Sequence, residues 1–202
     1  LIFRLTGIKH GFPFIFHPDE PAVVRSALGI RFHKNPGHFD WPHLYFYLNY
    51  FMYMGFAFVR NIFESLNLRN LLTSIAPIIW NDDLVFDLLS RILSAIIGTL
   101  TIIPVFLAGR NLFNKRTAVF SALAFSIIPF HIWHSHYALI DVPMVFFLAW
   151  TLYFGTLIIK NNKLKYYVLS GLFIGLAAST KYHGGLGAFI APIAYLILYF
   201  SR

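Results

Sequence analysis

Residues 92–109 read ILSAIIGTLTIIPVFLAG, a stretch without a single charged side chain. Its length and composition match the roughly 20 apolar residues that an α-helix needs to cross a hydrocarbon core about 30 Å thick. Two further stretches, Val142 to Ile159 and Tyr182 to Ser201, are of similar length and also lack Asp, Glu, Lys and Arg. Each of the three is therefore expected to be a transmembrane helix.

The composition of the whole chain indicates the same solvent. Of its 202 residues, 58% are hydrophobic and only 12% are charged, and the mean hydropathy is +0.66. Soluble domains carry about 25% charged residues, so a water-soluble globular protein is excluded. Sixteen Lys and Arg against eight Asp and Glu would favour nucleic acid as the partner of a soluble domain. In a membrane protein they fit basic cytoplasmic loops, and no nucleic-acid partner is expected.

Two shorter stretches complete the expected bundle. Thr117 to Trp133 and Tyr166 to Thr180 are near the lower limit for a span, but they alternate with the long stretches across short connections. Irregular backbone exposed to lipid is not tolerated at that depth. We therefore predict an all-α, polytopic transmembrane helix bundle, with about five transmembrane helices in residues 88–202 and an outer loop with interfacial helices in residues 1–87. Because the chain begins in a short apolar run without Met, it is expected to be a fragment that starts inside or just after an earlier helix.

The distribution of basic residues predicts the orientation. Lys and Arg cluster in two short connections, residues 110–116 and 160–165, and the positive-inside rule places both in the cytoplasm. Residues 82–91, 134–141 and 181–183 then face the outer side of the membrane. The protein is expected to be multi-pass, with its functional polar loops outside.

The stretch Trp41 to Val59 is open to two interpretations. It is long and apolar enough to span, in which case the loop before it would be cytoplasmic. Its density of aromatic residues favours the membrane interface, where amphipathic rings keep one polar edge in water. We favour the interface, which leaves residues 5–40 outside.

Two further patterns concern helix packing. The stretch Asn61 to Leu72 resembles a second interfacial helix. Gly171 and Gly175, four residues apart, predict a close helix contact.

The most informative polar motif is His17-Pro18-Asp19-Glu20 in the first outer loop. Adjacent carboxylates point in different directions, so one can act as a base or metal ligand while the other positions a substrate. Taken alone, an Asp-Glu pair before a proline is also typical of a helix N-cap.

This stretch is the first of five motifs along the chain: His17 to Glu20, Asp40 to Leu48, Arg91 to Pro104, Tyr137 to Pro143, and Gly171 to Tyr182. In this order they resemble the C-type glycosyltransferase superfamily, in its protein O-mannosyltransferase and aminoarabinose-transferase branch (glycosyltransferase family 39-like). Two segments differ from the family pattern by one residue each: His43 stands where a second proline is usual, and His136 where an Arg commonly precedes the tyrosine. The resemblance covers only the amino-terminal half of a typical family member, so the chain is expected to be the amino-terminal part of a longer transmembrane domain.

This resemblance implies an integral-membrane glycosyltransferase. Such an enzyme moves a sugar from a polyprenyl-phosphate-linked donor to an acceptor hydroxyl, on a protein or a lipid, at the outer side of the membrane. The reaction needs a base for the hydroxyl, which fits Asp19, and Glu20 is assigned to orienting the acceptor or a metal. Alternatively, the protein is a membrane transporter or lipid flippase subunit, or a non-catalytic scaffold. A transporter, however, is expected to carry polar groups at mid-membrane or internal repeats.

The departing lipid phosphate needs cations, and two are expected at the outer boundary. Arg91 begins one span and Lys181 ends another, so both are predicted to bind the phosphate. Their alternative role is to anchor helices at the interface. Tyr182, His183 and Asp141 are predicted to line the same substrate site, although Asp141 also fits a helix cap and His183 a solvated side chain.

The one cofactor that the sequence suggests is a divalent metal ion. The chain has no cysteine, so thiolate sites are excluded. Histidines near a carboxylate suit such an ion, and His134 and His136 lie close in sequence to His131 and Asp141. On an extended loop, residues two apart face the same side. His134 and His136 are therefore the candidate metal ligands, with ordinary interfacial histidines as the alternative.

Overall fold

The fold is described from a computed structural model, which covers residues 1–32, 39–68 and 84–201. All regular structure in these ranges is helical, as the sequence predicts. The α-helices are α1 (Ile2–Leu5), α2 (Glu20–Gly29), α3 (Leu44–Ser65), α4 (Val85–Leu100), α5 (Ile102–Leu112), α6 (Lys115–Ile127), α7 (Pro129–Ser135), α8 (Asp141–Asn161), α9 (Leu164–Thr180) and α10 (Ile190–Phe200), with a 3₁₀ helix at Tyr182–Phe189 before α10.

The three long spans expected from the sequence are confirmed. Helices α4 and α5 join into one apolar segment of 28 residues, Val85–Leu112. The second span is α8, with 21 residues, and the third comprises the 3₁₀ helix and α10, with 19 residues. Each is long and apolar enough to cross a bilayer, and the protein is an integral membrane protein.

The fourth expected span is bent. Helices α6 and α7 are inclined at 55° to each other, as in a broken span or a re-entrant loop. The break follows from sequence: Pro129 begins α7, and Ile128 before it has an extended ψ of 114°, because a residue preceding proline is driven out of the helical region. Helix α9 is apolar but has only 17 residues, so its crossing stays a prediction.

Helix α3 is a single helix of 22 residues that includes Asn61 to Ser65. The expectation of a separate interfacial helix from Asn61 to Leu72 is therefore wrong in its first part, and residues 69–72 lie outside the described ranges. The helix ends because Asn67 adopts a left-handed φ of 56°. The N–H of Leu68 then bonds to the carbonyl of Phe63 at 3.0 Å, which is the Schellman pattern. Helix α3 is not among the helices apolar enough to span, and its place at the interface stays a prediction.

The buried face of α3 packs on α2 and α4. Tyr45 is fully buried, and its hydroxyl lies 2.6 Å from Oγ of Ser94. Tyr53 makes a second hydroxyl contact, with Ser90. Burial raises the pKa of Tyr45 to about 12, so this hydroxyl is neutral. These bonds satisfy polar groups within an apolar core and fix α3 to the first span.

The two basic connections lie at the same end of the bundle. Helix α5 packs against α8, and Nδ2 of Asn111 donates to Oγ1 of Thr156 at 3.0 Å, close to the ends of both helices. The turns after α5 and after α8 are therefore neighbours, opposite the end at which Asp141 begins α8.

The two glycines of α9 have open space around them. A Cβ placed on Gly171 or Gly175 would meet nothing within 4 Å. The close helix contact expected at these glycines is not formed within the described residues.

Candidate functional site

Glu20, at the start of α2, and Arg91, in the first half of α4, form a buried ion pair. The sequence separates them by 71 residues, yet Nε and Nη2 of Arg91 donate to the two carboxylate oxygens of Glu20 at 2.8 and 2.7 Å. Glu20 is 0% exposed and Arg91 1% exposed. Oε1 of Glu20 also accepts the backbone N–H of Ala138 at 2.9 Å. One carboxylate thus joins the first loop, the first span and the segment before α8.

Arg91 is nearly saturated by protein contacts. Its Nη1 donates to the carbonyls of Ile8 and His10 at 2.9 and 2.8 Å, and its guanidinium lies 4.4 Å from the ring centre of Phe12. Four of its five N–H groups are therefore used. A lipid phosphate would find one free N–H on this side chain.

Asp19 differs from its neighbour. It occupies the N-cap position of α2, but its side chain makes no capping bond. Within the described residues its half-buried carboxylate has neither a hydrogen bond nor an ion pair. Its backbone N–H donates to Nδ1 of His17 at 3.3 Å. The pair predicted as catalytic thus divides into one carboxylate that is locked and one that is available.

A polar cavity of about 280 Å³ lies beside this loop. The ring of His17 packs 5.3 Å from Tyr137 and 6.2 Å from Trp133, measured between ring centres. Tyr137 and Trp133 in turn line the cavity. Its complete lining is Thr6, Gly7, His10, Arg91, Trp133, His136 and Tyr137. The cavity therefore combines two aromatic faces with imidazole and guanidinium groups. His17 connects its aromatic wall to the segment that carries Asp19.

Asp141 and Lys181 form a second, more open pair. Nζ of Lys181 donates to Oδ1 of Asp141 at 2.6 Å, and their side chains are 30% and 34% exposed. Two N–H groups of the ammonium are left for other partners. Asp141 begins α8 only three residues after Ala138, so the segment 138–141 connects this pair to Glu20 and Arg91.

The remaining residues of the predicted substrate site lie at the start of the 3₁₀ helix. The hydroxyl of Tyr182 donates to the carbonyl of Phe39 at 3.1 Å, while the rest of its side chain is exposed. His183 is also exposed. Lys181 and Tyr182 therefore connect the end of α9 to both α8 and the first loop.

His134 and His136 do not converge. The extended loop expected around them is wrong, because α7 continues to Ser135 and residues two apart on a helical turn face different sides. Nδ1 of His134 donates to the carbonyl of Phe130 at 2.9 Å, and Nε2 of His136 donates to that of Thr6 at 3.0 Å. His136 lines the polar cavity, whereas His134 lines a separate, apolar cavity of about 330 Å³ together with Asp141 and Val142.

The described residues do not fit a metal ion. Nowhere in them do three or more His, Asp or Glu side chains come close enough to share one. Glu20, which the sequence assigns to orienting the acceptor or a metal, is already bound by Arg91 and Ala138. Metal use therefore stays a prediction.

Sequence reasoning missed a buried cation, Arg4. It is 1% exposed, and Nη2 donates to Nδ1 of His131 at 3.0 Å. Because a guanidinium can only donate, His131 must accept on Nδ1 and carry its proton on Nε2. Gly98 provides the space, since a Cβ there would lie 2.5 Å from Oγ of Ser135 and 3.3 Å from Nε of Arg4. The available signal was a single charge within an apolar run.

The sequence matches a family model and a known protein. A family model described as dolichyl-phosphate-mannose-protein mannosyltransferase matches residues 87–202, more than half of the chain. The chain is also 31% identical over 123 residues to a protein of Archaeoglobus fulgidus named dolichyl-phosphooligosaccharide-protein glycotransferase 3. That alignment covers 53% of this chain and 14% of the relative, so the chain spans a small part of the relative's length. No solved structure matches significantly.

Proposed function

The chain belongs to the dolichyl-phosphate-mannose-protein mannosyltransferase family, and from that membership we propose that it carries the acceptor-activating part of a membrane glycosyltransferase. The enzyme moves a sugar from a polyprenyl-phosphate-linked donor to an acceptor hydroxyl of a protein or lipid. The active site faces the outer side of the membrane, because the basic turns lie at the opposite end.

The available carboxylate of Asp19 is the observation on which this proposal rests. During transfer the acceptor oxygen bonds to the anomeric carbon of the sugar, and the bond between that carbon and the phosphate oxygen breaks. The phosphate leaves with the bonding electrons, and the hydroxyl proton passes to Asp19. Glu20 cannot take this role while it is held by Arg91 and Ala138. It instead fixes the backbone on which Asp19 stands.

The polar cavity is proposed as the place of the reacting sugar. Trp133 and Tyr137 offer aromatic faces to the apolar side of a sugar ring. Because Nε2 of His136 donates to the carbonyl of Thr6, its Nδ1 can accept a hydrogen bond from a sugar hydroxyl. Aromatic side chains with a few convergent polar groups are typical of the lining of small-molecule sites. His17, two residues before Asp19, packs against both aromatic side chains, which connects the proposed base to the wall of the cavity.

The lipid phosphate is proposed to bind at Lys181. This ammonium is partly exposed and has two free N–H groups, whereas Arg91 has one. Its partner Asp141 lies on the wall of the apolar cavity, which offers room to the first part of an isoprenoid chain. Arg91 mainly holds the first loop in place, because its charge is paired with Glu20, and it has one N–H left for the anion.

The donor class can be tested directly. Proteoliposomes of the protein receive mannose linked either to a polyprenyl phosphate or to a nucleoside diphosphate, with Ser- and Thr-containing peptides as acceptors. We expect release of polyprenyl phosphate together with glycosylated peptide from the lipid-linked donor alone. Equal transfer from the nucleotide donor would refute the proposed donor class, and donor consumption equal to that of empty liposomes would refute the activity.

A further inference from the structure

The basic end of the bundle carries six cations without carboxylate partners in the described part of the chain. All six side chains are exposed: Arg110, Lys115, Arg116, Lys160, Lys163 and Lys165. The sequence after Asp87 contains only one acidic residue, Asp141. Lys160 lies 19 residues further along α8, which corresponds to about 28 Å. That distance is several Debye lengths at physiological salt, so Asp141 does not neutralise these cations.

An apolar groove of about 210 Å³ opens beside these cations. It lies between α5, α8 and α10. At its base Gly155 allows α8 and α10 to pack closely, since a Cβ there would lie 2.7 Å from Cγ2 of Ile190. Leu112 and Ile159 belong to its wall. Leu112 is the last residue of α5, and Ile159 lies two residues before the end of α8. The groove therefore opens at the same end of the bundle as the cations.

Large apolar side chains are also exposed among the cations. Phe113 is 68% exposed and Leu164 is 78% exposed. Each lies in or beside one of the basic turns at the ends of apolar helices. A surface that alternates cations with exposed apolar groups fits the boundary between acyl chains and head groups.

From this arrangement we propose that the basic end binds an anionic phospholipid. One acyl chain lies in the groove between α5, α8 and α10, and the phosphate head group lies between Arg110 and Lys160. The other four cations extend the same positive surface. This site is separate from the proposed catalytic site, which lies at the other end of α8, and it does not depend on the glycosyltransferase activity.

Binding can be measured with short-chain lipids in neutral detergent. Because the chain has no cysteine, Asn161→Cys provides a single position for an environment-sensitive fluorophore at the end of α8. The labelled protein is titrated with dioctanoyl phosphatidylglycerol and, separately, with dioctanoyl phosphatidylcholine. We expect saturable binding of the anionic lipid that weakens with salt, and at least tenfold weaker binding of the zwitterionic lipid.

Charge and groove variants separate the two parts of the site. Each cation near a lipid surface contributes about fivefold to association, so Arg110→Gln combined with Lys160→Gln should weaken phosphatidylglycerol binding about 25-fold. Lys9→Gln with Arg31→Gln removes two exposed cations from the other end and should change binding less than twofold. Ile193→Trp, at a half-exposed position of the groove wall, should fill the groove and weaken binding at least fivefold.

Several results would overturn the proposal. Equal affinity for the two lipids would exclude recognition of the anionic head group, and an unchanged affinity in the Arg110 and Lys160 variant would exclude these cations. Competition by inorganic phosphate at the same concentration as the lipid would indicate a site for a free anion. Because the charge substitutions are at exposed positions, unaltered thermal unfolding is expected and serves as the folding control.

Discussion

The buried pair of Glu20 and Arg91 predicts a large loss of stability when one partner is removed. In Arg91→Met, the fully buried carboxylate of Glu20 keeps only the N–H of Ala138, and the carbonyls of Ile8 and His10 lose their donor. Breaking one side of a buried ion pair costs about 3–5 kcal/mol. In Glu20→Gln, one amide N–H replaces a carboxylate oxygen and faces an N–H of the guanidinium, so two donors oppose each other. We expect the free energy of unfolding to fall by about 3 kcal/mol.

The double variant tests whether these costs arise from one interaction. Glu20→Gln with Arg91→Met leaves no uncompensated buried charge, so its cost should fall below the sum of the single variants by about 1–3 kcal/mol. The assay is reversible unfolding in mixed micelles with an increasing fraction of dodecyl sulfate. The matched control is the exposed pair of Arg60 and Glu64, 3.3 Å apart with 38% and 39% exposure, for which about 0.3–0.5 kcal/mol is expected. A Glu20–Arg91 coupling no larger than this control would refute the structural role.

Further predictions concern packing, phosphate binding and orientation. Gly98→Ala should destabilise the protein by about 1–3 kcal/mol because its Cβ meets Ser135, whereas Gly171→Ala, with open space around it, should be neutral or stabilising by up to about 1 kcal/mol in the same unfolding assay. Lys181→Met should weaken binding of a polyprenyl-phosphate analogue about 10- to 100-fold, the effect of one charged hydrogen bond; wild-type affinity in a titration would leave Lys181 as a helix anchor. Asp19→Cys should react with an impermeant thiol reagent from the outer side and Lys163→Cys from the cytoplasmic side, and labelling of both from one side would contradict the orientation.

The long apolar stretches were predictable because a span is encoded in consecutive residues. The bend between α6 and α7 had a local signal in Pro129, which restricts Ile128 before it, but a count of apolar residues does not register it. The end of α3 also had a local signal, since Asn67 tolerates the left-handed conformation, yet the amphipathic pattern beyond Asn61 was interpreted as a new helix.

The sequence predicted which residues belong to the candidate site, but not which of them form ion pairs with each other. Arg91 was expected to face a phosphate because an arginine at a span end needs an anion. The sequence could not indicate that Glu20, 71 residues away, supplies that anion, since the choice of partner depends on how the first loop folds back over α4. For the same reason Asp141 and Lys181 were both predicted at the substrate site, but not as a pair.

The measurement that tests the central proposal most directly is the turnover of Asp19→Asn with a polyprenyl-phosphate-linked sugar. Asparagine keeps the size of the side chain and cannot take the proton of the acceptor hydroxyl, so kcat should fall by at least ~10²-fold. Donor affinity should stay within about twofold, because Asp19 does not contact the proposed phosphate site. Glu64→Gln, which changes an exposed carboxylate on α3, should keep wild-type turnover. Near wild-type transfer by a folded Asp19→Asn protein would contradict the assignment of Asp19 as the base.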